Sequence, residues 1–154
     1  MVATALALAA CSTPPPQAKA PAPEPVAVAP PPPPKPEITS NANSPHAYRR
    51  DGANHLYSRN SDRIFRGKLP PLLQAVGVTR VQIDDMGYIQ HIEWMRAPAH
   101  VPSVMAEIER TIRAAEPFPA PVLMGHVAYV DTWLWDQSGR FQLDTLTEGQ
   151  RDRR

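Results

Sequence analysis

The chain has 154 residues and 20 prolines; 13 of the prolines lie in the first 45 positions, whereas all 7 glycines and every aromatic residue, from Tyr48 on, come later. The opening stretch therefore has nothing large to bury, and the remaining residues suffice for one domain of about 100 to 150 residues, which excludes a two-domain enzyme of the dehydrogenase or barrel kind. Lys and Arg (16) nearly balance Asp and Glu (15), leaving no basic stripe for nucleic acid, and the single cysteine, Cys11, excludes an internal disulfide and a cysteine-based zinc site.

The first eleven residues read MVATALALAAC. Their apolar run is too short to span a bilayer, which takes roughly 20 residues, and suits the apolar region of a secretory signal, roughly 7 to 15 residues. No Lys or Arg precedes Lys19, so a basic leader is expected upstream of the first residue given. Leu8-Ala9-Ala10-Cys11 resembles the lipobox of bacterial lipoproteins. That resemblance implies cleavage before Cys11, acylation of its thiol and new amino terminus, and a lipid anchor at Cys11. Several acyl chains together give stable anchoring. Ser12, rather than Asp, after the cysteine implies sorting to the outer membrane in that family.

Residues 12–53 read as a disordered, proline-rich linker. Pro14 to Pro16, Pro30 to Pro34, Glu24-Pro25 and Lys35-Pro36 favour polyproline II. At about 3.1 Å per residue, Ser12 to Pro45 could reach on the order of 100 Å. A semi-rigid spacer is the first reading; a docking site for a proline-binding domain and plain disorder are the others.

Residues 54–148 are expected to form the domain, with 149–154 as a charged tail. Asn54 to Lys68 is helix-like but irregular, and Pro70-Pro71 ends it. Leu72 to Ala75 suggests one helical turn. Val78 to Ile83 alternates as a strand, Asp84-Asp85-Met86-Gly87 is a turn, and Tyr88 to Arg96 is the return strand. Ile89 and Ile92 cannot share a face in a regular strand, so a bulge near Gln90-His91 is expected, placing Ile89, Ile92 and Trp94 together. Ser103 to Ala115 is the clearest helix: Val101, Met105, Ile108, Ile112 and Ala115 form one apolar stripe, and Glu109 and Arg113 stand four apart. Val127 to Asp136 is a strand with Ala128, Val130, Thr132 and Leu134 on one face and Val127, Tyr129, Asp131, Trp133 and Trp135 on the other. After the Ser138-Gly139 turn, Phe141 to Thr145 pairs back. This order predicts an α+β fold, a small antiparallel sheet with helix packed on one face.

The layout of strand, Asp-x-x-Gly turn, strand, helix, Phe-Pro-x-Pro and strand resembles the TonB C-terminal domain (the TonB/TolA C-terminal superfamily). The matching residues are Val81-Gln82-Ile83-Asp84, Gly87, the unevenly spaced Ile89, Ile92 and Trp94, and Phe118-Pro119-Ala120-Pro121. They cover roughly Leu69 to Asp136. Leu69-Pro70 stands where the family often has Tyr-Pro, and Arg96-Ala97-Pro98 where it often has Ser-Ser-Gly. The resemblance implies a domain that receives a short partner segment as an added strand at its sheet edge. No membrane-spanning helix with a motor-engaging motif is legible here, which puts motor-coupled energy transduction in doubt.

Chemistry is sparsely signalled. His91 and Glu93 share a strand face, a pattern a solvated sheet face explains without a metal. Asp84 and Asp85 fit a turn, and His126 and Asp131 lack a serine nucleophile, Ser138 belonging to its own turn. There is no Gly-rich phosphate loop and no HExxH. The chain is expected not to be an enzyme and to need no cofactor or metal. Tyr129, Asp131, Trp133 and Trp135 form the candidate partner-binding residues if their face lies outside; the alternative is that the aromatics pack against the helix as core. The expected function is that of a periplasm-facing lipoprotein in the bacterial cell envelope, its anchor in the membrane and its domain binding a protein or peptide partner by sheet edge or aromatic face. No nucleic-acid partner is expected, and an open sheet edge would also permit a homodimer. The alternatives are a TonB-type energy transducer for outer-membrane transport whose N-terminus is mis-assigned, and a cell-envelope hydrolase.

Overall fold

The computed structural model describes residues 35–151. The anchor expected at Cys11, the part of the expected linker over residues 12–34 and residues 152–154 lie outside the described residues. In chain order the elements are β1 (Thr39–Ser40), α1 (Pro45–Arg59), β2 (Ala75–Ile83), β3 (Ile89–Arg96), α2 (Pro102–Ala114), β4 (Ala120–Pro121), β5 (Val127–Trp135), β6 (Phe141–Leu143) and a 3-10 turn (Asp144–Leu146). Four strands form one antiparallel sheet in the order β3-β2-β5-β6, and β1 pairs in parallel with β4 in a separate two-stranded piece. This is the expected α+β fold. No helix among the described residues is long and apolar enough to cross a membrane.

The linker expected to run to residue 53 ends sooner. Helix α1 starts at Pro45, capped by the Ser44 side chain, which accepts a hydrogen bond from Ala47 N at 3.3 Å. Its buried positions are Tyr48, Gly52, Ala53, His55 and Leu56. They recur at helical spacing, but small and polar residues fill most of them, so no apolar stripe announces the helix. At the other end, Leu69 N donates to Gly149 O and Arg151 N to Leu69 O, so residues 149–151 belong to the domain rather than to a tail.

The hairpin follows from its local sequence. Asp84 Oδ1 accepts from Met86 N and Tyr88 N, and Gly87 takes φ +92°. A Cβ on Gly87 would also stand 2.0 Å from the Phe118 carbonyl oxygen, so this turn closes against the segment after α2. The register shifts between Gln82 and Ile83, which pair with His91 and Ile89, leaving Gln90 as the bulged residue. Ile89, Ile92 and Trp94 consequently all pack on the core. Ala75 opens β2 instead of closing a helical turn, with Gln74 N already bonded to Trp135 O.

The buried residues of α2 are Val104, Ile108, Thr111 and Ile112, with Ala115 following. The helix is thus rotated slightly from the expected stripe: Val104 and Thr111 replace Val101 and Met105 at the deepest positions. Glu109 does not pair with Arg113 and instead accepts the Trp94 indole N–H at 2.6 Å. Both helices cover the face of the sheet that carries Val81, Ile83, Tyr129, Trp133 and Trp135. The opposite face, with Val76, Val78, Val130 and Leu134, carries no helix and is half-buried.

Candidate functional site

Strand β5 alternates strictly between buried and half-buried positions, and Tyr129, Asp131, Trp133 and Trp135 are all on the buried side, none more than 3% exposed. The outward reading of this face is corrected: it is the core. The polar side-chain atoms of Tyr129, Asp131 and Trp133 have internal partners. The Trp133 indole donates to Thr79 Oγ1 at 2.9 Å, and the Tyr129 hydroxyl donates to Asp131 Oδ2 at 2.9 Å. Trp135 stacks on Phe141 with centroids 5.5 Å apart, and the Arg63 guanidinium lies over its ring at 5.4 Å from the centroid. The apolar residues of the opposite face, Val130 and Leu134, made both orientations consistent with the sequence. The two helices packing on β5 decide between them.

Asp131 is held by residues that sequence spacing did not bring together. Its Oδ1 lies 3.4 Å from Arg49 Nη2 and also accepts from Thr132 N and Thr145 N, at 2.9 and 3.3 Å. Arg49 comes from α1, 82 positions earlier. A buried carboxylate needs such compensation. Burial, and then the Asp131 charge beside it, push the Tyr129 hydroxyl well above the ordinary tyrosine range, so it stays a donor. Burial raises Tyr48 as well; its hydroxyl donates to Pro119 O at 2.7 Å.

The two ends of the main sheet differ. The outer side of β6 is occupied: Phe65 N donates to Phe141 O and Phe141 N to Arg63 O. Strand β3 pairs only with β2 among the described residues, so its other side is an edge. Glu116 accepts the Ile89 N–H at the start of this edge. A second register shift, between Val78 and Thr79, marks its far end. Between the two irregularities lies His91 to Trp94. Ile92 and Trp94 lean to the core, while His91 and Glu93 are exposed on the other face, Glu93 pairing with Arg80 at 3.1 Å. That solvated pairing accounts for the His91 and Glu93 pattern. Among the described residues no group of three or more His, Cys, Asp or Glu is placed to hold a metal ion. Asp84 organises the hairpin turn, and Asp136 accepts from Ser138 N at 3.0 Å.

Set against protein-family models, curated proteins and solved structures, the chain matches none.

Proposed function

We propose that this domain is a binding module of the bacterial cell envelope that takes an extended segment of a protein partner as an added strand on the outer edge of β3. The observation that carries the reading is the contrast between edges. β3 is eight residues long and unpaired on one side, while β6 is short and covered by Arg63 to Phe65. An unpaired strand edge presents a row of main-chain donors and acceptors to an incoming chain. With the aromatic face sealed in the core, the edge is the surface that remains of the two first considered. The bulges confine regular pairing to about the His91–Trp94 stretch, so the partner segment would be short. The resemblance to the TonB C-terminal domain supports the same mode, and the lipobox-like end at Cys11 would hold the module to a membrane, with the domain facing the periplasm.

The test is site-specific photo-cross-linking in cells. A photoreactive residue at His91 or Glu93 should give a discrete adduct with an envelope protein, and one at Arg59, on the solvent side of α1, should not. Equal adducts from all three positions, or a sole adduct with a second copy of this chain, would overturn the heterotypic reading. Palmitate labelling that disappears in Cys11→Ser checks the anchor separately.

A further inference from the structure

A cleft of about 260 Å³ lies between the first turns of α1 and the 3-10 turn after β6, lined by His46, Arg49, Arg50, Asp144 and Thr145. All five side chains are polar. Two polar atoms of these residues, Arg49 Nε and Thr145 Oγ1, are buried without a hydrogen-bond partner. Such atoms are uncommon, and each costs the fold desolvation energy until a partner reaches it. Both residues converge on Asp131 Oδ1, Arg49 through Nη2 and Thr145 through its backbone N–H. The Arg49 side chain is 33% exposed, and Arg49 and Thr145 both line the cleft.

The charges narrow the ligand. Arg49 and the buried Asp131 offset each other. Arg50 and Asp144 are exposed, and among the described residues neither has an ion-pair partner. A dianion such as phosphate would meet Asp144 with Asp131 beneath it. A simple cation would meet Arg49 and Arg50. A ligand carrying both signs close together meets neither obstacle. We propose that this cleft binds the head group of an α-amino acid, its carboxylate on the Arg49 and Arg50 guanidinium groups and the Thr145 hydroxyl, its ammonium on Asp144. This site lies on α1 and the turn after β6, away from the β3 edge, and does not rest on the sheet-edge reading.

The experiment is an NMR titration of the full chain at constant ionic strength with glycine, acetate, methylammonium and inorganic phosphate, following the amides of Arg49, Arg50 and Thr145. Glycine should saturate at a lower concentration than any of the other three. Asp144→Asn should abolish the advantage of glycine over acetate, and acetate itself should bind no more weakly than before. Thr145→Val should weaken glycine and acetate alike by about tenfold, the size expected for one hydrogen bond to a charged group. The proposal is overturned if glycine gives no saturable shift, if acetate or phosphate matches it in the wild type, or if Asp144→Asn leaves glycine binding as it was. Should Thr145→Val fail to fold, Asp144→Asn, at an exposed position, decides the matter alone.

Discussion

Tyr129 and Asp131 stand two residues apart on one strand and are joined by a 2.9 Å hydrogen bond inside the core, with Asp131 fully buried beneath Arg49. A carboxylate amid aromatic side chains is tolerated because four donors converge on it: the Tyr129 hydroxyl, the Arg49 guanidinium and the backbone N–H groups of Thr132 and Thr145. The pair ties β5 to α1 and to the turn after β6.

Asp131→Ala should therefore be among the most damaging single changes in the domain. It leaves the partly exposed Arg49 charge and three further donors without their acceptor, and stranding buried donors in this way costs about 1 to 3 kcal/mol. Asp131→Asn keeps the shape and part of the hydrogen bonding and should cost less. Urea unfolding of the two variants checks the order; equal, small losses would show that the network contributes little.

Stability should fall steeply in alkali. Tyr129 and Tyr48 both have raised hydroxyl pKa values, through burial first and then neighbouring Asp131 and Asp51. A group whose pKa is higher in the folded state stabilises fully below its unfolded value, about 10 for tyrosine, and that contribution is lost as pH rises beyond it. Each tyrosine adds up to about 1.4 kcal/mol per pH unit to the slope there. Tyr129→Phe should be less stable at neutral pH, since Asp131 loses a donor, but should show a shallower alkaline slope. At the acid end Asp136 acts in the opposite sense. Burial would raise its carboxyl, but hydrogen bonds from Ser138 and the Gln137 backbone outweigh it and hold the pKa low. Its contribution is present above the ordinary aspartate range and lost as pH falls below about 4. Thermal unfolding across pH for the wild type, Tyr129→Phe and Asp136→Asn measures all three effects.

The core placement of the β5 aromatics can be separated from a surface role. Trp133→Ala should cost about 3 to 5 kcal/mol, as for a large buried side chain, and should abolish the near-UV signature of the fold. A surface tryptophan would change stability by only about 0.5 kcal/mol. Gly77→Ala tests the same core from the other side. A Cβ there would sit 2.7 Å from the Trp94 ring and 3.0 Å from Pro98, so about 1 to 3 kcal/mol should be lost through overpacking. Adding Trp94→Leu to Gly77→Ala should recover part of that loss; no recovery would mean the clash lies elsewhere.

Local pattern alone set out much of the domain. The uneven spacing of Ile89, Ile92 and Trp94 located the bulge, because strand geometry admits no other way to put them on one face. Asp84 and Gly87 fixed the hairpin turn through side-chain and backbone preferences that act within a few residues. The apolar steps of α2 fixed its extent to within a residue, though not its rotation.

What packs against what was decided only in three dimensions. Strand β5 carries large apolar residues on both faces, so its period defines two faces without saying which is inside; helices α1 and α2 settle that by covering the aromatic one. Helix α1 is expected over Asn54 to Lys68 but runs from Pro45 to Arg59; Gly52, Ala53 and His55 fill its buried positions and hide its start, and Gly52 serves there by letting the Tyr129 ring approach to 3.0 Å of where a Cβ would be. The ion pair of Arg49 with Asp131 and the cleft above it join segments more than 80 positions apart. The sequence by itself determined that a proline-rich stretch gives way to core-forming residues, though not at which residue, and which strand positions share a face, since those depend on composition and on the fixed geometry of the strand. The tertiary structure decided which face is core, which edge stays open and which charges meet, since those depend on contacts between segments that no local pattern encodes.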